Sequence, residues 1–404
     1  MSRRPLEGLR ILDFTHVLAG TFATRLLGDM GADVVKVNSA ERAVGVNDVG
    51  SPFFVMWNRN KRALALDMKH PDARELCLRL VEQADVVIDN FAVGVLDRWG
   101  IGYTDGSARN ARVTYVQMSG MGEGGPWSGF VTFAPTIHAL CGITHLTGVP
   151  GREDIGAGAS YNDHQAGLHG AFAILAAIEA RERTGRGQHV DLSQFEVGVN
   201  FLGPSLLDLF GNGRAARPTG NALPYDVAAP HDVYPCRPQG EGIAGERWLA
   251  LACLTDAQWR ALRDAMGDPG WARDPALDTA AGRVAARARI DAAIADWTRD
   301  RDAYETMLLL QSSGVPAGVV QDGVDLVEHD TQLRHAGFLS PVDDPDPELG
   351  PMWVDRLPLH FEKTPCDVYL RPRRVGEDNE SVLRDWLGID EAGVCAREAD
   401  GPLR

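Results

Sequence analysis

The first part of the chain switches repeatedly between two spacings of apolar residues. Arg10-Ile11-Leu12-Asp13-Phe14, Asp33-Val34-Val35-Lys36-Val37, Ala63-Leu64-Ala65-Leu66 and Val86-Val87-Ile88 are short runs of strand type, while Thr21 to Met30 and Pro71 to Gln83 read as helices. This βαβ rhythm predicts an α/β fold with a doubly wound, Rossmann-like parallel sheet. No GxGxxG follows the first strand, so the pattern is not that of an ordinary dinucleotide-binding fold.

From about Gln165 to Ala180 a long helix is predicted, and Gly170 to Glu179 is apolar on every side, as in a helix sunk into a large core. It closes at Arg183-Thr184-Gly185-Arg186-Gly187-Gln188, where glycine suits a left-handed cap, and His189 to Ser193 then alternates like a strand. Gly211 to Pro230, rich in glycine, proline and alanine, reads as a linker. Runs at His231–Cys236 and Arg247–Ala252, with helices near Asp256 to Met266 and Arg283 to Thr298, predict a compact second α/β unit. The expected division is a large domain over 1–211, a linker over 212–230, a small domain over 231–330, and a C-terminal segment over 331–404 with a short helix near Glu380 to Leu387.

Composition narrows the function. With 404 residues, 44% apolar, the chain can bury a sizeable core. A formal net charge of -16 argues against a nucleic-acid partner. No apolar run has the length of a membrane span and no signal-type segment follows Met1 to Pro5, so a cytoplasmic protein without a membrane partner is expected. Cys77, Cys141, Cys236, Cys253, Cys366 and Cys395 are scattered without CxxC pairs or neighbouring histidines, a pattern of free thiols and no metal site.

One carboxylate stands out. Asp163, in Ala159-Ser160-Tyr161-Asn162-Asp163-His164, directly precedes the long apolar helix. There it fits an N-cap, and the helix dipole favours its ionised form. An ordinary structural cap is one reading; a reactive carboxylate held at the edge of a dry interior is the other.

At this point the chain resembles the class III CoA-transferases, the family of formyl-CoA transferase, carnitine CoA-transferase and α-methylacyl-CoA racemase. The resemblance rests on Pro5 to Asp13, Leu27 to Val37, Asn58-Arg59-Asn60-Lys61-Arg62, Leu66-Asp67-Met68-Lys69, Asp89-Asn90-Phe91, Leu96 to Gly100, Asp163 to Glu179, Thr184 to Gln188 and Gly314-Val315-Pro316-Ala317-Gly318. It implies that Asp163 is a covalent nucleophile. It also implies that coenzyme A, as a thioester substrate with no permanently bound cofactor, meets His16, Val17, Ala19, Leu66, Lys69, Asn90, Phe91, Arg98 and Trp99. By the same resemblance the C-terminal segment returns to the large domain, and two chains, alike or merely related, interlock as a homodimer or heterodimer.

The chain departs from formyl-CoA transferase at several places. Asn38 and Ser39 stand where a basic residue is expected, leaving Arg42 to serve; Val131 and Phe133 stand where that enzyme has a lysine and a tyrosine; and its glycine loop is not recognisable, with Gly240, Gly242 and Gly245 as candidates for a different flap. A larger, more apolar pocket follows, with Phe133, His138, His164 and His231 as candidate lining residues. The runs Val131 to Gly142 and Ala229 to Cys236 look like the benzylsuccinate CoA-transferase branch, which implies a donor such as succinyl-CoA and an aryl-substituted succinate as acceptor. Two alternatives remain at this stage: a racemase, which relies on a histidine where this chain has Phe133 and Ala134, and a non-catalytic CoA-binding subunit. For His138, a lone histidine in an apolar run, a satisfied core role is also open.

Overall fold

The computed structural model describes residues 4–342 and 352–403. The chain packs as two units: one gathers the residues up to Ile143, Gly156–Pro204 and those from Thr331 onward, the other Thr144–Ile155 and Ser205–Asp330. Relative to the expected division, a short segment before the long helix and the residues from Ser205 join the second unit, and the expected linker lies inside it.

Unit 1 is built on six parallel strands, β1 (Arg10–Asp13), β2 (Asp33–Asn38), β3 (Lys61–Ala65), β4 (Val86–Asp89), β5 (Thr114–Gln117) and β6 (His189–Asp191), in the order β3-β2-β1-β4-β5-β6. Strands such as Val-Val-Ile-Asp in β4 are apolar on both sides because helices cover both faces. The helices that matter for the site are α1 (Ala19–Asp29), α2 (Ala73–Gln83), α3 (Ala134–Leu140), α4 (Tyr161–Thr184) and α5 (Gln194–Asn200). On one face, Ala23 and Leu27 of α1 and Ala166 and Ile174 of α4 pack with Ile11, Val34 and Ile88. On the other, Leu78 and Leu80 of α2 meet Leu12, Val35 and Tyr115, together with Val382, Leu383 and Trp386 from the C-terminal segment. The strand order reverses between β1 and β4, and in open α/β sheets ligands bind at such a switch point, beyond the carboxyl ends of the strands.

Glycines set the distance of α4 from its neighbours. A Cβ on Gly167 would stand 2.7 Å from the carbonyl oxygen of Ala19, and one on Gly170 would stand 2.8 Å from the sulfur of Met118. The start of α4 is thereby pressed against α1 and the end of β5.

Buried ion pairs tie the sheet to the C-terminal segment. Arg59, fully buried, spans Asp29 at 2.7 Å and Asp355 at 2.8 Å, and Arg25 also reaches Asp355 at 2.8 Å. The outer edge of β3 is covered rather than left open, since the N–H groups of Ala63 and Ala65 donate to the side chains of Asp378 and Asn379 at 2.9 Å each.

Unit 2 has an antiparallel sheet of β7 (His231–Cys236), β8 (Arg247–Ala252) and β9 (Ala317–Val319), packed on helices that bury Trp259, Ile290, Ile294 and Leu310. The helix expected over Arg283 to Thr298 is broken at Ala286, which caps Ala280–Ala285 before Arg287–Thr298 begins. Gly240 and Gly245 close a tight loop, with the N–H of Gln239 donating to the carbonyl of Gly245 at 2.8 Å. All six cysteines are unpaired. No helix of the described residues is long and apolar enough to cross a membrane.

Candidate active site

The helix carrying Asp163 begins earlier than the sequence pattern implied. Ser160 is the cap, and Asp163 is the third residue of the first turn of α4. The physical reason is tertiary. The N–H of Asn162, one of the donors a helix start leaves unpaired, donates to Nε2 of His138 at 3.1 Å, and the Asn162 side chain donates to the carbonyl of Gln194 at 2.9 Å. Gln194 in turn donates to the carbonyl of Met118 at 2.8 Å. Asn is a mediocre helix former, and the bonds to His138 and to Gln194, which is itself braced on Met118, hold Asn162 in helical geometry.

His138 thus bonds the main chain one residue before Asp163 and is not among the residues lining the cleft that holds Asp163. It is 4% exposed, accepts through Nε2, and burial lowers its pKa, so it stays neutral. His164 is turned into an aromatic box, with Phe22 and Trp57 rings 5.0 and 5.1 Å away and its Nδ1–H donating to the Ser160 carbonyl at 2.8 Å. His231 lies on β7 of unit 2, its ring bonded to the carbonyl of Asn221 at 2.6 Å.

Asp163 lines a cleft at the carboxyl ends of β1, β4 and β5 with His16, Val17, Asn90, Phe91, Ser119, Gly120, Phe130 to Ala134, Ile137 and Gln194. Its Oδ2 is out of solvent and has no hydrogen-bond partner among the described residues. Burial pushes its pKa up to about 6, outweighing its own backbone N–H and the nearby His164, which pull the other way. The stabilisation of the anion by the helix start, expected from sequence, is thus overridden by desolvation. Among the described residues no lysine or arginine lines this cleft, while Phe130, Val131 and Phe133 present apolar surface to it.

A second cleft adjoins the first, sharing His16 and Phe91. It is lined by Phe14, Asn38, Ser39, Glu41, Arg42, Leu66, Lys69 and Trp99 among others. Phe91 and Trp99 pack edge to face with centroids 5.6 Å apart, and the imidazole of His16 lies 5.3 Å from Phe91. Burial, with Lys36 and Arg42 nearby, holds His16 down at a pKa of about 3, hence neutral. Lys69 is exposed and paired with Glu41 at 2.5 Å. Asn90 fixes the loop after β1: it accepts from the N–H of His16 at 2.7 Å and donates to the carbonyl of His16 at 2.8 Å. In the same loop Val17 has φ of 60°, a costly conformation for a β-branched residue.

Most of the predicted CoA contacts thus gather at these two clefts: His16, Val17, Arg42, Leu66, Lys69, Asn90, Phe91 and Trp99. Two do not. Ala19 is buried at the start of α1, where its carbonyl faces Gly167, and the guanidinium of Arg98 points back to the carbonyl of Val93 at 3.4 Å. Sequence reasoning missed Ser119, Gln194 and Asn162. The usable signal was position: Ser119-Gly120 follows β5 at the carboxyl end of the sheet, where α/β sites form. Among the described residues no group of three His, Cys, Asp or Glu side chains is placed to hold a metal ion.

The desolvated carboxyl of Asp163 thus stands where α/β sheets bind their ligands, at the switch point beyond the carboxyl ends of the strands. The profile of CoA-transferase family III matches residues 6–379, and the chain belongs to that family. It is a CoA-transferase by that membership and by its relatives. Over 404 residues it is 30% identical to the succinyl-CoA–D-citramalate CoA-transferase of Chloroflexus aurantiacus, covering 98% of this chain and 97% of that protein. It is 29% identical to the succinyl-CoA–L-malate CoA-transferase beta subunit of the same organism, covering 95% of each. Among solved structures, a CAIB/BAIF family protein from Brucella suis superposes with a TM-score of 0.83 at 30% identity, covering 96% of this chain and 100% of that one.

Proposed function

We propose that the protein is an acyl-CoA:carboxylate CoA-transferase whose covalent nucleophile is Asp163. The observation that carries this reading is a carboxyl oxygen, buried and unpaired, in an apolar cleft that adjoins a second cleft edged by Arg42 and Lys69. A carboxylate short of solvent and hydrogen bonds is a stronger nucleophile than one in water.

The chemistry balances in four exchanges. An Asp163 oxygen attacks the thioester carbonyl, the C–S bond breaks, and CoA leaves as the thiolate, giving a mixed anhydride. The thiolate attacks the aspartyl carbonyl and releases the first acid, leaving an aspartyl thioester. The second acid attacks that thioester and forms a new anhydride with release of the thiolate. The thiolate then attacks the acceptor carbonyl and frees Asp163. In this reading CoA lays its adenine and phosphates along Phe91, Trp99, Arg42 and Lys69 and passes His16 to reach Asp163. The acyl group lies on Phe130, Val131, Phe133 and Ile137. These walls suit an acceptor with an apolar or aryl substituent, such as an aryl-substituted succinate, with a donor such as succinyl-CoA.

The working assembly in this proposal is a dimer of two such chains or of this chain with a related subunit. Leu168, Phe172 and Leu175 on the outer face of α4 are exposed in the single chain, Phe172 by 73%, which favours such a partner. A cytoplasmic location is in keeping with six unpaired thiols.

Asp163→Ala tests the assignment. Exchange of CoA between a thioester and a free acid should vanish, while calorimetry still detects CoA binding. Turnover at the wild-type rate in that variant would overturn the assignment.

A further inference from the structure

Each exchange at Asp163 passes through a tetrahedral carbon whose oxygen carries full negative charge. Such an oxyanion needs a donor that is already in place and free of other partners. The hydroxyl of Ser119 meets both conditions. Ser119 is 5% exposed, its Oγ is out of solvent, and it has no hydrogen-bond partner among the described residues. Buried hydroxyls in folded proteins are rarely left so, and this one lines the same cleft as Asp163.

The main chain around it is clamped. The carbonyl of Ser119 accepts from the N–H of Gln194 at 3.2 Å, and that of Gly120 accepts from the N–H of Phe195 at 2.9 Å. Thr132 sits so close over Gly120 that a Cβ there would stand 1.9 Å from its hydroxyl oxygen. Nearby Ser193 shows the contrast, because its hydroxyl caps α5 by accepting from Glu196 at 3.2 Å. The Ser119 hydroxyl caps no helix, yet its backbone is fixed through the start of α5.

We propose that Ser119 is a catalytic residue, whose Oγ–H donates to the oxyanion formed when Asp163 attacks the thioester and when its acyl derivatives are attacked in turn. This rests on Asp163 being the acylated residue. The hydroxyl keeps its proton throughout; the electron pair of the broken C–S or C–O bond leaves with the thiolate or the carboxylate, and the negative oxygen is held until the carbonyl reforms.

The test compares Ser119→Ala and Ser119→Cys with the wild type by steady-state kinetics, thermal unfolding and quenched-flow mass spectrometry of the Asp163 adduct. A lost oxyanion donor typically costs about 10²–10³-fold in kcat, and that loss is expected in Ser119→Ala, with KM for the thioester nearly unchanged. Adduct formation on Asp163 should slow in step. Because the hydroxyl has no partner in the resting protein, Ser119→Ala should not lower the unfolding temperature. Ser119→Cys refills the volume with a weaker donor and should stay impaired. Wild-type kcat in Ser119→Ala, full recovery in Ser119→Cys, or a fall in unfolding temperature with an unchanged adduct rate each overturns the proposal. If the wild type forms no adduct on Asp163 while transferring CoA, the reading of Asp163 fails, and Ser119 with it.

Discussion

Nε2 of His138 accepts the backbone N–H of Asn162 across 3.1 Å, so a histidine on α3 closes the first turn of the helix that carries Asp163 one residue later. The ring must be unprotonated at that nitrogen. Its folded pKa is lowered by burial, so the unfolded chain takes up a proton first as pH falls. Stability from this residue is complete above the unfolded value of about 6.5 and declines as pH falls below it. His138→Ala should cost on the order of 1–3 kcal/mol by leaving a buried N–H unpaired, and His138→Gln should restore part of it. Urea unfolding between pH 5 and 8 checks both, and an acid decline of equal size in His138→Gln would contradict the assignment.

Asp163 should set the acid limb of activity. Its carboxyl is pushed up to about 6 by burial, so kcat/KM is expected to fall as pH drops through that value. The same shift has a stability side. The folded chain holds the proton between the ordinary value of 3.8 and about 6, so stability decreases as pH rises across that interval and stays lower above it. Asp163→Asn keeps the neutral form at every pH. It should be more stable than the wild type at pH 8, by about 3 kcal/mol, and no different at pH 3.

The two glycines of α4 should differ in tolerance. Gly167→Ala drives a methyl against the main-chain oxygen of Ala19, whereas Gly170→Ala meets the flexible end of Met118. Overpacking of the first kind costs about 1–3 kcal/mol, and Gly167→Ala should also lower kcat by displacing the first turn. Gly170→Ala should be milder on both counts, as denaturant midpoints and initial rates will show.

Arg59 is the buried tie between the sheet and the C-terminal segment. Removing it leaves Asp29 with the Asn60 amide at 2.8 Å and a longer pair to Arg25 at 3.7 Å, and leaves Asp355 with Arg25 alone. Arg59→Ala should destabilise unit 1 by about 3–5 kcal/mol and hasten proteolysis within 331–404. Unchanged proteolysis would mean that the segment is held by its apolar contacts, Val382, Leu383 and Trp386.

Five of the six strands of unit 1 were legible because apolar spacing switches between strand and helix periods, whereas β5 and the helix of Ala134–Leu140 were not read, and the family resemblance led to Asp163. What surrounds that residue was not legible. The first turn of α4 depends on His138 and Gln194, which approach it only through the fold. The apolar ring around α4 implied a helix buried on all sides, yet only the face of Ala166, Gly170 and Ile174 is buried, and Phe172 looks outward. Composition cannot say which face of an apolar helix the core will cover. Nor could it weigh the helix dipole against desolvation at Asp163, a contest decided by how little water and how few donors reach Oδ2.

The anhydride route fixes the path of one oxygen atom. In the anhydride sequence the acceptor acid leaves one of its carboxylate oxygens on Asp163 when the final thioester departs. Supplying an acceptor labelled with oxygen-18, allowing turnover and mapping the peptides by mass spectrometry should therefore reveal heavy oxygen in the side chain of Asp163 and in no other carboxylate. Turnover that leaves Asp163 unlabelled would rule out the anhydride route.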